Sequence, residues 1–185
     1  RDRFVGYKSV IAYGFGLDIH DRDIAAAKKA YAKLRTKKVL SWPLEKKDEG
    51  VLAQEKIVRD YLTCRAIEKS IEFDIPFQIH TGIGESPIIN AQRCNPVLLY
   101  DLFKDEKLGK AKFVLDHGGY PFFEEVGWLV YSFPNVYADL SCTIPWIHYG
   151  SERAVLRILE LAPTNKILYG SDGGKIPETY WIGAI

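Results

Sequence analysis

The sequence lacks methionine entirely and contains only three cysteines in 185 residues. Without a methionine it does not begin at an initiator residue, so we expect a fragment or a processed product of a longer protein. Cys64, Cys94 and Cys142 are odd in number and far apart, which argues against a disulfide framework or a zinc finger. We expect three free thiols, as in a reducing compartment.

Long apolar runs and an excess of either charge are also missing. No stretch approaches the roughly 20 apolar residues that span a bilayer, and the start at Arg1-Asp2-Arg3 lacks the apolar segment of a signal peptide. The 25 basic and 24 acidic residues give a net charge of +1 and are mixed along the chain. With this balance the sequence shows no basic cluster of the kind that binds nucleic acid or an anionic membrane. We therefore expect a soluble cytoplasmic protein that binds a small-molecule substrate.

The composition that remains is that of an ordinary globular domain, with 47% hydrophobic and 26% charged residues. No repeat, low-complexity tract or linker divides the chain, so residues 1–185 are predicted to form a single domain. That length is short of the roughly 250 residues of a typical complete (β/α)8 barrel.

Short strand-like runs alternate with longer helical patterns, which predicts an α/β fold. The predicted strands are residues 5–13, 75–80, 112–117, 136–140 and 166–169. The predicted helices are residues 23–34, 51–73, 121–133 and 151–161, and a further helix that begins at Asn95-Pro96. Ser41-Trp42-Pro43 is predicted to interrupt the chain after the first of them.

Three of these strands end in a residue that can bind a metal or transfer a proton: His80, His117 and Asp172, each followed within two residues by glycine. The carboxyl ends of parallel barrel strands converge on one rim, so such residues meet in space although they are distant in sequence. A divalent metal held by imidazole and carboxylate can lower the pKa of a bound water to about 7. The same carboxylate can accept the proton of that water.

Five segments occur in order along nearly the whole chain: GYKSVIAY, PFQIHTGIGE, KFVLDHGGYPFFEEVGWL, FPNVYADLS and KILYGSDGG. In order and spacing they resemble strands four to eight of the amidohydrolase superfamily, in particular its amidohydrolase-2 branch. The resemblance extends to the amidohydrolase module fused to glutamine-synthetase-like domains in nodulin-related and fungal developmental proteins. It implies a (β/α)8 TIM barrel, here an incomplete one.

The resemblance also implies roles for individual residues. His80 would be a metal ligand, and Asp172 both a metal ligand and the general base. His117 would be a second-metal ligand or a hydrogen-bonding electrophile near the substrate carbonyl. Lys8 lies at the fourth-strand position, where some members carry a carboxylated lysine that bridges two metals and others a charged group near the substrate. The expected metal is zinc, with manganese as the alternative.

The chain departs from the family at one point, because no His-x-His pair occurs, and neither His20 nor His148 replaces it. Such a piece would lack two ligands and about three strands. An incomplete barrel exposes strand edges, so we expect the chain to form a homo-oligomer or to be part of a larger chain.

Residues around these motifs carry weaker signals. Asp116 is expected to point to the side of the strand opposite His117 and to be structural, or to contact the site's ligands from behind, rather than to be catalytic. Asp139 and Ser141 are candidates for the rim, while His148 and Trp146 are candidates for the substrate pocket because loops after barrel strands carry specificity. His20 is expected to be a solvated loop residue.

The predicted function is hydrolysis of a C–N or C–O bond of a small polar substrate, through a metal-activated water and Asp172. The alternatives are a nonoxidative decarboxylase of the same superfamily and a non-catalytic barrel module of a larger fusion protein. The alternative fold is a flavodoxin-like doubly wound sheet, which the absence of a Gly-rich phosphate loop disfavours.

Overall fold

A computed structural model describes residues 4–35, 48–84, 89–173 and 177. Within these residues, five parallel strands form one sheet in the order β1-β2-β3-β4-β5. The strands are β1 Tyr7–Ser9, β2 Phe77–His80, β3 Phe113–Asp116, β4 Val136–Asp139 and β5 Ile167–Leu168. The predicted break at Ser41-Trp42-Pro43 lies outside the described residues.

Helices connect the strands. They are α1 Ile24–Leu34, α2 Glu49–Phe73, α3 Tyr100–Lys104, α4 Phe123–Ser132, α5 Thr143–Ile147 and α6 Ser151–Leu159. Short 3-10 turns cover Ile11–Tyr13, Ala91–Arg93, Pro96–Leu99, Leu108–Lys110, His117–Gly119, His148–Gly150 and Thr164–Lys166. No helix of the described residues combines the length and apolar character needed to cross a lipid bilayer.

The sheet order decides between the two predicted folds. In a doubly wound sheet the strand order reverses at a switch point, whereas barrel strands follow one another in sequence order. Consecutive parallel neighbours from β1 to β5 therefore confirm the α/β, incomplete-barrel prediction. The flavodoxin-like alternative was wrong.

Helix boundaries follow from capping residues near both ends of α2. The Asp48 side chain accepts hydrogen bonds from the backbone N–H groups of Gly50 and Val51, as an N-cap residue does. At the other end Asp74 adopts a left-handed conformation with φ 53°. Asp23, at the start of α1, and Asn95, at the start of the turn Pro96–Leu99, likewise accept backbone hydrogen bonds, from Ala26 and Val97.

The two faces of the sheet differ. Phe77, Phe113 and Val136 lie side by side in register and are buried, as are Ile79, Leu115 and Ala138 one layer further along. These residues form the core against the helices. The alternate positions hold Lys8 and Gln78, both exposed, beside the apolar Val114 and the phenol of Tyr137, so the opposite face, here called the concave face, carries polar groups as well as apolar ones.

The loops that follow β2 and β3 touch at two glycines. Gly82 has φ 63° and Gly119 φ 68°, and a Cβ on Gly82 would lie 2.2 Å from the carbonyl carbon of Gly119. The Gly82 N–H donates to the Cys94 carbonyl at 2.9 Å. This close approach fixes the positions of His80 and His117, which immediately precede these loops.

We expect Gly82→Ala to lower the free energy of unfolding by about 3 kcal/mol, because the new methyl group meets backbone and the left-handed conformation becomes strained. Urea unfolding followed by circular dichroism measures the change. Gly150→Ala is the matched control, since the nearest atom to its added Cβ is 3.5 Å away. Equal unfolding midpoints for the two variants would contradict the proposed close contact.

Candidate active site

The carboxyl ends of β2 and β3 bring two of the predicted site residues together. His80 is the last residue of β2, and His117 directly follows β3. Their ring centroids lie 4.4 Å apart, with the rings edge-on at 66°. Both side chains are buried, with only 4% and 2% of their surfaces exposed. Strand ends of a barrel therefore place them together, as the sequence predicted.

The hydrogen bonds of His117 define its tautomer. Its Nδ1 atom lies 3.1 Å from the carbonyl oxygen of Ser141 and 3.1 Å from the Ser141 hydroxyl. A carbonyl only accepts, so Nδ1 carries the proton. The Ser141 hydroxyl itself donates to Asp139 Oδ2, which leaves its oxygen free to accept. Nε2 of His117 is consequently an unprotonated acceptor.

This tautomer distinguishes the two roles predicted for His117. A hydrogen-bonding electrophile must donate from Nε2, whereas a metal ligand must offer a lone pair there. Burial, together with the nearby Lys8 ammonium, lowers the pKa of His117 to about 4, so the ring is neutral at pH 7. The ligand role is therefore favoured.

His80 has a buried nitrogen that lacks a partner. Its Nε2 atom is inaccessible to solvent and makes no hydrogen bond within the described part of the chain. Burial, followed by the charges on His117 and Lys8, lowers the pKa of His80 to about 3, which keeps the imidazole neutral. The Tyr13 ring packs on the same imidazole at 4.6 Å. Buried polar atoms without partners are rare, and a bound ion is one of the few explanations for them.

A third residue joins His117 and Asp172. One donor atom each from His117, Cys142 and Asp172 lie within 4.8 Å of one another. All three residues have left-handed backbones, with φ values of 71°, 62° and 53°. Such conformations are uncommon outside glycine, and they concentrate at functional sites.

The sequence prediction missed Cys142, which it treated only as a free thiol. The thiol is free, as are those of Cys64 and Cys94, and all three are buried. Burial, helped by the Asp172 charge, raises the pKa of the Cys142 thiol to about 12. The available signal was its position in the loop directly after β4, three residues beyond the strand end at Asp139.

Lys8 and Asp116 form an ion pair on the concave face. Lys8 Nζ lies 2.7 Å from Asp116 Oδ2, and the lysine side chain is 39% exposed. Asp116 Oδ1 has no hydrogen-bonding partner among the described residues. Burial raises the pKa of Asp116 to about 6, although Lys8 opposes this shift. The contact favours the ammonium form of Lys8, because a carboxylated lysine would place two anions side by side.

The predicted orientation of Asp116 was wrong. Asp116 is the register partner of His80 and therefore shares its face of the sheet. His117 lies beyond the end of the strand, with φ 71°, so the alternation of strand side chains no longer applies to it. Two consecutive residues thus both reach the site.

Three further residues lie around the rim or outside it. Trp146 is 52% exposed in α5, and His148 is exposed in the following turn with φ 42°. Among the described residues, no hydrogen bond, ion pair or ring contact joins either side chain to His80, His117 or Asp172. His20 pairs with Asp18 at 2.8 Å and is 48% exposed, in agreement with a solvated loop residue.

The donor set fits a divalent metal. Two neutral imidazoles, a carboxylate and a thiol are the ligand types that Zn²⁺ takes in proteins. The unpartnered Nε2 of His80 and the free lone pair on His117 are available without breaking a hydrogen bond within the described residues. Asp172, which is exposed, closes the group from the side of β5.

Fold and site together define an α/β-barrel protein with a strand-end site suited to a divalent cation. The family model for amidohydrolases matches residues 3–184, and the chain belongs to this family. Over 182 residues it is 34% identical to Protein fluG of Emericella nidulans, an alignment that covers 96% of this chain and 20% of fluG.

A solved structure gives the same result. The 1.40 Å crystal structure of a protein from Lactobacillus casei ATCC 334, assigned as a metal-dependent hydrolase, is 31% identical to this chain, with a TM-score of 0.83. The match covers 98% of this chain and 45% of that one. The chain thus spans about a fifth of the curated relative and less than half of the structural neighbour. The family match and the structural neighbour support a hydrolase class, and the structural neighbour supports a divalent metal.

Proposed function

We propose that this chain carries part of the active site of a zinc-dependent hydrolase that cleaves a C–N or C–O bond of a small polar substrate. The observation that carries the proposal is the buried Nε2 of His80, which has no hydrogen-bonding partner among the described residues and lies beside the ring of His117. Manganese is the alternative metal.

Each site residue has a distinct role in the proposed hydrolysis. His80, His117 and Asp172 would hold the metal, which lowers the pKa of a bound water to about 7. The exposed carboxylate of Asp172 accepts the proton of the attacking water and returns it to the leaving nitrogen or oxygen. Ser141 fixes the His117 ring so that its free lone pair faces the site.

The concave face defines the class of substrate. Lys8 is partly exposed there as an ammonium and lies in register with the exposed amide of Gln78. A small molecule with a carbonyl and an anionic group matches these two side chains. His148 and Trp146, exposed on the loop after β4, are proposed to contact the distal part of the substrate.

We also propose a cellular compartment and a mode of assembly for this protein. Three free thiols are typical of a reducing compartment such as the cytoplasm. In the described part of the chain, β1 and β5 are the edge strands of the sheet. Exposed edges need cover, which a second copy or the rest of a larger chain would provide.

Nonoxidative decarboxylation is the second candidate, and Lys8 favours it. A half-exposed ammonium on the concave face is a suitable partner for a substrate carboxylate. In that reaction carbon dioxide leaves and no water is consumed, so product analysis separates the two candidates.

The test uses the protein in the full length that its gene encodes, purified without chelators. Metal content is measured by inductively coupled plasma mass spectrometry, and a panel of amides, esters, lactones and unsaturated acids is assayed. We expect near-stoichiometric zinc, and hydrolysis that a chelator abolishes and zinc restores. Release of carbon dioxide without water uptake would support the decarboxylase instead. Protein free of metal and inactive on the panel would support a non-catalytic module.

A further inference from the structure

We propose that Cys142 is a metal ligand, so that His117, Cys142 and Asp172 hold a thiophilic divalent ion through one nitrogen, one sulfur and one oxygen. This proposal rests on the proposed metal-dependent function and deepens it. Thiolate ligands favour Zn²⁺ and its analogue Cd²⁺, whereas sites made of carboxylate and carbonyl oxygens suit Mg²⁺ or Mn²⁺. Cys142 would therefore determine which metal the site accepts.

The donor atoms of His117, Cys142 and Asp172 are close to the spacing that zinc ligands have. Zinc bonds of about 2.3 Å to sulfur and 2.0–2.2 Å to nitrogen or oxygen place tetrahedral ligands roughly 3.5 Å apart. The three donor atoms already lie within 4.8 Å of one another. The donors are therefore within about 1.3 Å of the spacing of zinc ligands before any ion is bound.

The three residues also share a backbone conformation. Each of the three residues follows a different strand, β3, β4 or β5, and each has a left-handed φ. Cysteine seldom adopts this conformation, so surrounding structure must hold Cys142 in it. Thr143 helps to do so, because its hydroxyl donates to the carbonyl of His117. Cys142 thus shares with the two predicted site residues both its position and its conformation.

The neighbouring imidazole supplies an independent indication of a ligand. His80 Nε2 is buried and has no hydrogen-bonding partner among the described residues, and its ring contacts that of His117. A metal bound at His117 would lie beside this ring, so the unpartnered nitrogen is a second observation, separate from Cys142, that points to a bound ion at these strand ends.

Cadmium titration of the metal-free, full-length protein tests the proposal. A thiolate bound to Cd²⁺ gives an ultraviolet sulfur-to-metal charge-transfer band, which nitrogen and oxygen ligands do not give. We expect this band in the wild type and its loss in Cys142→Ser. Cys64→Ser is the matched control, because Cys64 is equally buried but lies in α2 away from the site. This control variant should retain the band.

Zinc affinity provides the second measurement. Cys142→Ser should weaken Zn²⁺ binding by about 100-fold or more, since loss of even an outer hydrogen-bonding partner costs about 10- to 100-fold. Binding of Mn²⁺, which gains little from sulfur, should change far less. Equal losses for the two metals would overturn the assignment of Cys142 as the residue that selects the metal.

The outcomes separate this proposal from the function on which it rests. Stoichiometric metal without a charge-transfer band overturns the Cys142 assignment and leaves the metal-dependent function intact. A failure of the wild type to bind any metal overturns both. If Cys142→Ser does not fold, zinc-edge X-ray absorption of the wild type decides. One sulfur at about 2.3 Å supports the proposal, and none refutes it.

Discussion

Asp172→Asn is expected to lower kcat/KM by about 10³-fold on whichever substrate the panel identifies. An amide has no charge with which to accept a proton, and the loss of a general base costs about 10²- to 10⁴-fold. It is also a weak metal ligand, so the zinc content should fall. Asparagine suits the position structurally, because Asp172 has φ 53° and asparagine tolerates the left-handed region.

The structural alternative for Asp172 is a residue that only forms the turn after β5. In that turn the Gly173 N–H donates its hydrogen bond to the hydroxyl of Ser171 and not to the carboxylate of Asp172. Asp172→Asn should therefore unfold at the same urea concentration as the wild type. Glu160→Gln is the control, because Glu160 is exposed and pairs with Arg157 on α6. If both variants retain full activity, Asp172 is not the base.

Most of the sheet could be predicted from the sequence because buried parallel strands are marked by apolar runs that end in glycine. Predicted residues 112–117 and 136–140 correspond to β3 and β4 to within one residue at each end. The first strand was predicted too long. Residues Ile11–Tyr13 have high β propensity but form a 3-10 turn, which buries Ile11 and places Tyr13 against His80. Tertiary packing there outweighs local propensity.

The site could be predicted only where strand geometry determined it. The convergence of strand ends identified His80 and His117, and their rings are indeed in contact. The rule of alternating side chains failed for Asp116, because the strand ends before His117 and the backbone then turns left-handed. Histidine is enriched in the left-handed region, but most histidines do not adopt it, so the residue type alone does not predict that turn. Cys142 has the same left-handed conformation, which brings its thiol close to His117 and Asp172. Motifs based on the sequence spacing of metal ligands do not detect such a residue.

The ion pair of Lys8 and Asp116 shows why residue roles need the structure as well as the family. The resemblance left two roles open for Lys8, a carboxylated bridge or a charged group near the substrate. The contact at 2.7 Å with a buried carboxylate favours a cation. It also explains how a lysine within an apolar strand is tolerated, because the concave face supplies a counter-ion.

His80→Leu is expected to stabilise the metal-free protein while it abolishes stabilisation by metal. Leucine removes a buried nitrogen that has no partner among the described residues, and leaving such a group unsatisfied costs about 1–3 kcal/mol. Some of that gain is offset by the lost hydrogen bond with the Ile83 backbone and the lost ring contacts with Tyr13 and His117. We expect a net rise of about 1 kcal/mol in the free energy of unfolding without metal.

The wild type should behave in the opposite way once zinc is added. A ligand present at 100 times its Kd raises the free energy of unfolding by about 2.7 kcal/mol, provided that it binds only the folded state. Urea unfolding with and without zinc measures both effects. His20→Gln, on an exposed loop, should retain the full response. If His80→Leu destabilises the metal-free protein yet responds to zinc like the wild type, His80 is a packing residue. The unpartnered nitrogen would then have no part in metal binding.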